Sequence, residues 1–178
     1  MTTGLYIGRF QPVHKGHILS IKSILEQVDD LAVVVGSALN SYSLENPFTA
    51  GERIKMLRDA FVEAGIPLSR VIILAVPDTL PPNYHSIYVS QVETYCPRFD
   101  VVFTHNPLVK TLFQKAGYDV REHETFDRDR YCGTTIRERM LNGKDWKELV
   151  PPSVARYIEE LDGVGRLKQL SASDKPQP

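Results

Sequence analysis

The stretch LYIGRFQPVHKGH, residues 5–17, decides how the rest of the sequence is interpreted. Its first three residues are apolar and end at Gly8, as expected of a buried strand that meets a turn. Apolar residues then recur at helical spacing from Lys15 to Val28, which predicts an amphipathic helix. Two glycines, two histidines, an arginine and a lysine are therefore concentrated where a strand ends and a helix starts.

The same alternation of short apolar runs and helical periods continues towards the C-terminus. Unbroken apolar strands between helices indicate a parallel sheet covered on both faces. We therefore predict a single doubly wound, Rossmann-like α/β domain over residues 1–170, with about five parallel strands and extra C-terminal helices. A disordered polar tail is predicted at 171–178. The further strands are predicted at Leu31–Val35, Val71–Val76, Asp100–Phe103 and Tyr118–Arg121, and the further helices at Ala50–Ala64, Ser86–Thr94, Leu108–Lys115, Thr134–Leu141 and Ser153–Leu161.

The bulk composition narrows the class of protein. A chain of 178 residues is long enough for one domain with a full core. The formal net charge of −1 does not favour a protein held on nucleic acid by a broad positive field. Cys96 and Cys132 do not have the spacing of a disulfide framework. The N-terminal apolar stretch is too short for a signal peptide or a membrane span, which favours a cytoplasmic protein.

The end of the first strand is the first candidate site, because doubly wound sheets bind ligands beyond the carboxyl ends of their strands. The start of the next helix offers free N–H groups and the positive end of the helix dipole, both suited to phosphate. Gly8 allows a close turn, and Gly16 leaves space where a ligand could pass over the helix start. His14 and His17, three residues apart, point the same way if both lie in the first helical turn.

Structural roles are open to several of these residues. A single histidine near a helix start is often a cap or a surface residue. A zinc site would need further ligands, and no cysteine or carboxylate lies nearby at metal spacing, so we predict no metal held by the protein. Thr49 to Glu52 fits a capping box and Asn106 with the following proline fits a turn, although both can be structural and still line a site.

The segment resembles the H-x-G-H signature of the nucleotidylyltransferase superfamily. The longer string G-R-F-Q-P-x-H-x-G-H is similar to the archaeal-type nicotinamide-nucleotide adenylyltransferase branch. A second element, Cys132–Arg137, resembles the superfamily motif S-[ST]-T-x-[IL]-R, with a cysteine where serine is usual. The resemblance runs from Gly4 to roughly Leu170. It includes Gly36–Ala38, Leu44–Arg53, Asn106–Val109 and Arg128–Tyr131.

The resemblance implies roles for the residues at the matching positions. His14 and His17 would donate to the phosphates of ATP, while Arg9 and Arg137 hold them, Arg137 mainly at the leaving pyrophosphate. Arg130 could instead pair with Asp127 or Asp129. The full set implied for ATP is Gly8, Arg9, Phe10, Gln11, His14, Gly16, His17, Asn106, Arg130, Tyr131, Gly133, Thr134 and Arg137.

A second set is implied for nicotinamide mononucleotide (NMN). A nicotinamide ring needs an aromatic face and a hydrogen-bond partner for its carboxamide. Tyr88 stands where the family usually has the stacking tryptophan, and it could equally be an ordinary half-buried helix residue. The implied set is Ser37, Ala38, Phe48, Asp78, Asn83 and Tyr88.

The reaction implied is attack of the NMN phosphate on the α-phosphorus of ATP, which gives NAD and pyrophosphate. The nucleophile is already an anion, so no protein base or covalent intermediate is needed, and donors, cations and the Mg²⁺ carried by the ATP phosphates supply the charge neutralisation. The resemblance also implies a homo-oligomer, a hexamer in relatives. Two alternatives stay open: another phosphorylated acceptor of the FMN or phosphopantetheine type, and a nucleotide sensor without catalysis.

Overall fold

A computed structural model of the chain describes residues 1–79 and 84–173. Strands and helices alternate along most of it. The strands are β1 (Thr3–Gly8), β2 (Asp30–Val35), β3 (Val71–Ala75), β4 (Val101–Phe103) and β5 (Asp119–Arg121). The helices are α1 (Lys15–Leu25), α2 (Ala50–Glu63), α3 (Tyr88–Tyr95), α4 (Pro107–Lys115), α5 (Gly133–Leu141), α6 (Pro152–Glu160) and α7 (Gly163–Ser173), with short 3₁₀ turns at Leu68–Arg70, His85–Ile87 and Lys147–Leu149.

The five strands form one parallel sheet in the order β3-β2-β1-β4-β5. The chain therefore winds outward from β1 in one direction and then, after β3, crosses back to continue on the other side. This reversal makes the gap between β1 and β4 the topological switch point, where the carboxyl ends of neighbouring strands leave a crevice. The predicted doubly wound domain is confirmed.

Both faces of the sheet are covered, which explains why its central strands are apolar without interruption. In β2, Leu31, Val33 and Val35 pack into one core cluster, while Ala32 and Val34 pack into a second cluster on the opposite face. The first cluster is completed by α1, α2, α5, α6 and α7, and the second by α3 and α4. Alternate residues of a strand point to opposite faces of the sheet. Both faces are buried here, so the residues on both must be apolar.

Several element bounds differ from those predicted. Helix α1 ends at Leu25 rather than Val28, because the chain turns there with a hydrogen bond from Gln27 N–H to the Ile24 carbonyl. Helix α3 begins later than predicted because a 3₁₀ turn precedes it. Helix α7 was not predicted and reaches into the range assigned to the tail, of which 174–178 lie outside the described residues. No described helix has the length and apolar character needed to cross a membrane.

A buried guanidinium holds the ends of the first two strands together. Arg53 of α2 has no exposed surface. Its Nη1 donates to the carbonyl oxygens of Arg9 and Gly36, each at 2.8 Å, and its Nη2 donates to that of Ser37 at 3.1 Å. Burial lowers the pKa of Arg53 to about 10, while the nearby carboxylate of Asp78 opposes the change. The side chain therefore stays cationic at neutral pH and fixes the segments that follow β1 and β2.

Helix α2 is also tied to the C-terminal part of the chain. The predicted capping box is present: Thr49 N–H donates to Glu52 Oε2 at 2.9 Å, and Glu52 N–H donates to Thr49 Oγ1 at 3.2 Å. The same carboxylate accepts two hydrogen bonds from Arg166 of α7, at 2.8 and 2.9 Å. Burial raises the pKa of Glu52, and the hydrogen bonds from Arg166 and Thr49 outweigh that effect and lower it. This ion pair places α7, which no local pattern in the sequence indicated.

Replacing Arg53 with methionine is expected to lower the free energy of unfolding by about 3 kcal/mol or more, since it removes a donor shared by several buried carbonyl groups. Urea denaturation followed by circular dichroism measures the change. Arg58→Met is the matched control, because Arg58 is exposed on the same helix and its replacement should change stability by no more than about 0.5 kcal/mol. Equal free energies of unfolding for the two variants would show that Arg53 does not anchor the ends of β1 and β2.

Candidate active site

A cleft of about 340 Å³ opens at the switch point between β1 and β4. It is bounded by the ends of β1, β4 and β5 and by the starts of α1 and α5. Four of the five histidines of the chain line it. The lining residues are Tyr6, Ile7, Gly8, Arg9, Phe10, Gln11, His14, Gly16, His17, Ser20, Thr104, His105, Asn106, His123, Thr125, Phe126, Arg128, Tyr131, Cys132, Gly133, Thr134 and Arg137.

The two histidines of the H-x-G-H element form a reciprocal cap at the start of α1. His14 Nδ1 accepts from the backbone N–H of His17 at 3.3 Å, and His17 Nδ1 accepts from the backbone N–H of His14 at 3.2 Å. Their rings stack with centroids 3.5 Å apart. A neutral imidazole that accepts through Nδ1 carries its proton on Nε2. The cap therefore fixes both rings in the tautomer that has an Nε2–H donor.

Burial keeps these two imidazoles neutral. It lowers the pKa of His14 to about 3. It also lowers the pKa of His17 well below its ordinary value, and the neighbouring His14 and His123 add to this effect. Loss of hydration disfavours the charged form of a histidine, so both rings act as neutral donors near pH 7.

Arginine side chains make the cleft positive. Arg9, Arg128 and Arg137 all line it, and none of them forms an ion pair with a carboxylate within the described residues. Arg137 is 9% exposed and donates through Nη1 to the Gln11 carbonyl at 2.7 Å and through Nη2 to Thr134 Oγ1 at 3.3 Å. Burial lowers the pKa of Arg137, and the positive charge of Arg9 lowers it further. Mutually repelling guanidinium groups at a strand end favour a polyanionic ligand.

The donors of the cleft suit a phosphate chain. No group of three or more His, Cys, Asp or Glu side chains within residues 1–79 and 84–173 could hold a metal ion. The arginines and the Nε2–H groups are donors and cannot coordinate a cation. This set fits a metal ion that arrives on the phosphates of a nucleotide.

Glycine is required at two positions in the cleft wall because other groups approach closely. A Cβ on Gly16 would lie 2.8 Å from the Cβ of Tyr131, so the missing side chain makes room for a neighbouring loop. Gly16 also lines the cleft, and the approach of a ligand to it stays a prediction. A Cβ on Gly133 would lie 2.9 Å from the Gln11 carbonyl oxygen and 3.2 Å from Arg137 Nη1. The close approach at Gly133 lies where α5 docks on the segment that follows β1.

Some residues predicted to contact ATP support the cleft in other ways. The side-chain amide of Gln11 exchanges two hydrogen bonds with the backbone of Phe48, at 2.8 and 3.0 Å. Phe10 is buried, and its ring packs on His17 with centroids 4.7 Å apart. Arg130 does not line the cleft. Its guanidinium forms an ion pair with Glu148 at 3.4 Å, whereas the carboxylates of Asp127 and Asp129, the proposed partners, form no ion pair with it. The Asn106 side chain lines the cleft and caps α4 by accepting from Leu108 and Val109 N–H.

The residues predicted for NMN are only partly brought together. Ser37 Oγ donates to Asp78 Oδ1 at 3.0 Å, beyond the ends of β2 and β3. Ala38 N–H bonds to the Val76 carbonyl at 3.2 Å. Tyr88 is half-buried and packs edge-on against a phenylalanine of α4. Phe48 is fully buried in the core, so its side chain is not presented to a ligand. Asn83 lies outside the described residues.

Sequence reasoning missed two histidines and an arginine of the cleft. His105 lies two residues after the end of β4, and His123 and Arg128 follow β5. Doubly wound sheets bind ligands beyond the carboxyl ends of their strands, and this rule applies to β4 and β5 as it does to β1. Applied there, it would have identified His105 and His123. What the sequence did not show is that these strands lie next to β1.

Comparison with known proteins identifies similar chains. The sequence profile of the cytidylyltransferase-like family matches residues 5–139. A nicotinamide-nucleotide adenylyltransferase of Pyrobaculum arsenaticum is 46% identical over 100% of this chain and 98% of its own length. The protein of that name from Saccharolobus solfataricus is 46% identical over 98% of this chain and 100% of its own length. The one from Pyrococcus furiosus is 45% identical over 97% of this chain and 91% of its own length.

A solved structure shares the fold. It is a bifunctional NMN adenylyltransferase/ADP ribose pyrophosphatase from Francisella tularensis, complexed with AMP and a manganese ion. It superposes with a TM-score of 0.78 at 20% sequence identity, and the match covers 97% of this chain and 53% of that one. The present chain thus spans about half the length of that protein.

Replacing Gly16 with alanine is expected to displace Tyr131 and to cost about 1–3 kcal/mol of stability, as overpacking does in a well-filled site. Gly51→Ala is the matched control. It is also the second residue of a helix, and a Cβ there meets nothing within 4 Å. The control should be neutral or stabilising by up to about 1 kcal/mol. Thermal unfolding of both variants measures the difference, and similar melting temperatures would show that Gly16 is not sterically required.

Proposed function

This chain belongs to the cytidylyltransferase-like family and, within it, to the nicotinamide-nucleotide adenylyltransferases, and from this we propose that it joins ATP to NMN, forming NAD and pyrophosphate. The acceptor, NMN, is taken from the names of relatives that match the chain over nearly its whole length. The donor set of the cleft supports phosphate chemistry independently of those names.

The observation that carries the proposal is the fixed tautomer of His14 and His17. Their reciprocal cap leaves two neutral Nε2–H donors in a cleft that also contains unpaired guanidinium groups. Transfer of an adenylyl group needs alignment of two phosphates and stabilisation of the charge that develops on the α-phosphorus. Rigid donors with no proton to gain or lose near neutral pH suit this task.

The positions of the residues in the cleft support the following proposed roles. His14 and His17 donate to oxygens of the α-phosphate and stabilise the pentacoordinate transition state. Arg9 and Arg137 hold the phosphate chain, with Arg137 at the leaving pyrophosphate, and Arg128 adds a third cation that sequence reasoning had not assigned. The NMN phosphate attacks directly as an anion, so no residue has to act as a base.

Divalent metal, which we propose to be Mg²⁺, reaches the cleft on the ATP phosphates and neutralises part of their charge. The residues of this chain hold the nucleotide and not the ion, because the cleft offers N–H donors and cations.

The acceptor half is proposed to lie beyond β2 and β3. There the Asp78 carboxylate accepts from Ser37 Oγ and from Asn40 Nδ2, at 3.0 and 2.9 Å, and is held in place. A fixed carboxylate suits the amide of a nicotinamide group, and Tyr88 offers the aromatic face nearby. A homo-oligomer, a hexamer by resemblance, and a cytoplasmic location stay predictions.

An acceptor panel tests the proposed function. The protein is incubated with ATP, Mg²⁺ and each of NMN, FMN and phosphopantetheine, and pyrophosphate release is measured. NMN should give the highest kcat/KM, with NAD as the second product. Preference for another phosphorylated acceptor would support the alternative enzyme, and ATP binding without pyrophosphate from any acceptor would support a nucleotide sensor.

Replacing His17 with alanine is expected to lower kcat by roughly a hundredfold or more, because a transition-state donor is worth about 3 kcal/mol. His17→Asn separates this effect from the cap, since the asparagine oxygen can accept from His14 N–H while the Nε2–H donor is lost. Lys22→Ala, on the exposed side of the same helix, is the control. Steady-state rates near those of the unaltered protein in either His17 variant would exclude His17 from the mechanism.

A further inference from the structure

His123 differs from the other donors of the cleft. Its Nδ1 lies 3.0 Å from the carbonyl oxygen of Glu124. A carbonyl only accepts, so Nδ1 carries the proton, and in the neutral ring Nε2 is left with a free lone pair. This is the reverse of the tautomer fixed at His14 and His17. His123 therefore presents an acceptor in a cleft otherwise rich in donors.

The ring is held firmly in this orientation. His105 Nε2 donates to the His123 carbonyl at 2.7 Å, and the two rings meet edge to face with centroids 4.3 Å apart. On another side, the Tyr6 ring lies 5.0 Å away, also edge to face. The Glu124 carbonyl is fixed in turn by the Ser20 hydroxyl of α1 at 3.1 Å. The acceptor position is thus set by contacts from β1, from the segment that follows β4 and from α1.

Burial lowers the pKa of His123, and the neighbouring side chains of His105 and Arg128 lower it further. The hydrogen bond to Glu124 and the charge of Glu122 act in the opposite direction, but the net change is downward. The ring is therefore neutral at pH 7, and its Nε2 can accept a hydrogen bond. No described residue supplies that bond.

The location indicates which part of the nucleotide this acceptor meets. His123 follows β5, on the side of β1 away from the proposed NMN half beyond β2 and β3. Flat side chains lie next to it: the rings of Tyr6 and His105 contact His123, and Phe126 also lines the cleft. A triphosphate has only acceptors, whereas adenine is flat and carries a donor in its 6-amino group. A planar base among aromatic rings is favoured by stacking.

We propose that His123 determines the base specificity of the adenylyl donor by accepting, through Nε2, a hydrogen bond from the 6-amino group of adenine. The proposal rests on the proposed function in taking ATP as the bound nucleotide. A nucleotide with a 6-oxo group presents an acceptor at that place and leaves two lone pairs facing each other. Such a site discriminates because the wrong base leaves buried polar groups unpaired.

The test compares ATP with inosine triphosphate (ITP), in which a 6-oxo group replaces the amine. The full-length protein is assayed with NMN and Mg²⁺, and kcat/KM is obtained for each nucleotide. The unaltered protein should favour ATP, and His123→Leu should reduce the ATP-to-ITP ratio by about three- to tenfold. His123→Gln should retain part of the ratio, because its side-chain oxygen can accept. His85→Leu, at a histidine outside the cleft, should leave the ratio unchanged.

Calorimetric titration of ATP and ITP without NMN distinguishes failure of this proposal from failure of the proposed function. If no pyrophosphate forms, the proposed function fails, yet a loss of the ATP-over-ITP binding preference in His123→Leu still supports the role of His123. An unaltered protein that binds and uses both nucleotides equally would overturn the role of His123. So would a folded His123→Leu variant that loses activity while keeping the ATP-to-ITP ratio.

Discussion

The buried guanidinium of Arg53 is the constraint on which the geometry of the site depends. It binds the carbonyl groups that follow β1 and β2, and so fixes where the chain leaves the sheet on both sides of the switch point. A buried charge without a directly paired carboxylate is costly, and several carbonyl dipoles together with the field of Asp78 offset that cost. Arg9 and Ser37 are thereby held at the two sides of the proposed substrate sites.

One pair of hydrogen bonds both stabilises the start of α1 and sets the tautomer of its two histidines. Serine, threonine or aspartate would satisfy the free N–H groups of a helix start equally well. Histidine does so through one ring nitrogen and presents the other as a donor. Burial then keeps the rings neutral near pH 7 and stacking holds them in place, so the donors are neutral and fixed before a nucleotide binds. The arginines of the cleft repel one another, and a bound polyphosphate would relieve that repulsion. The cleft is therefore suited to a polyanion before one binds.

Much of the fold could be predicted because its signals are local. The apolar run of β2 and the helical period of α2 predict the bounds of both elements to within one or two residues. The extent of α7 could not be predicted, since the Arg166–Glu52 ion pair that places it joins residues 114 positions apart in the sequence. Similarly, the pairing of the Gln11 amide with the Phe48 backbone depends on a contact across the core, and no motif at Gln11 indicates it.

By itself, the sequence determined the order of strands and helices, the cluster of donors at the first strand end and the family to which the chain is similar. These depend on residue type and on spacing of a few positions along the chain. Only the tertiary structure decided which nitrogen of each imidazole carries a proton, that Arg128 and not Arg130 faces the cleft, and that His105 and His123 join the site. The physical reason is that tautomers and orientations are set by hydrogen-bond partners, and sheet order makes partners of residues that lie far apart in the sequence.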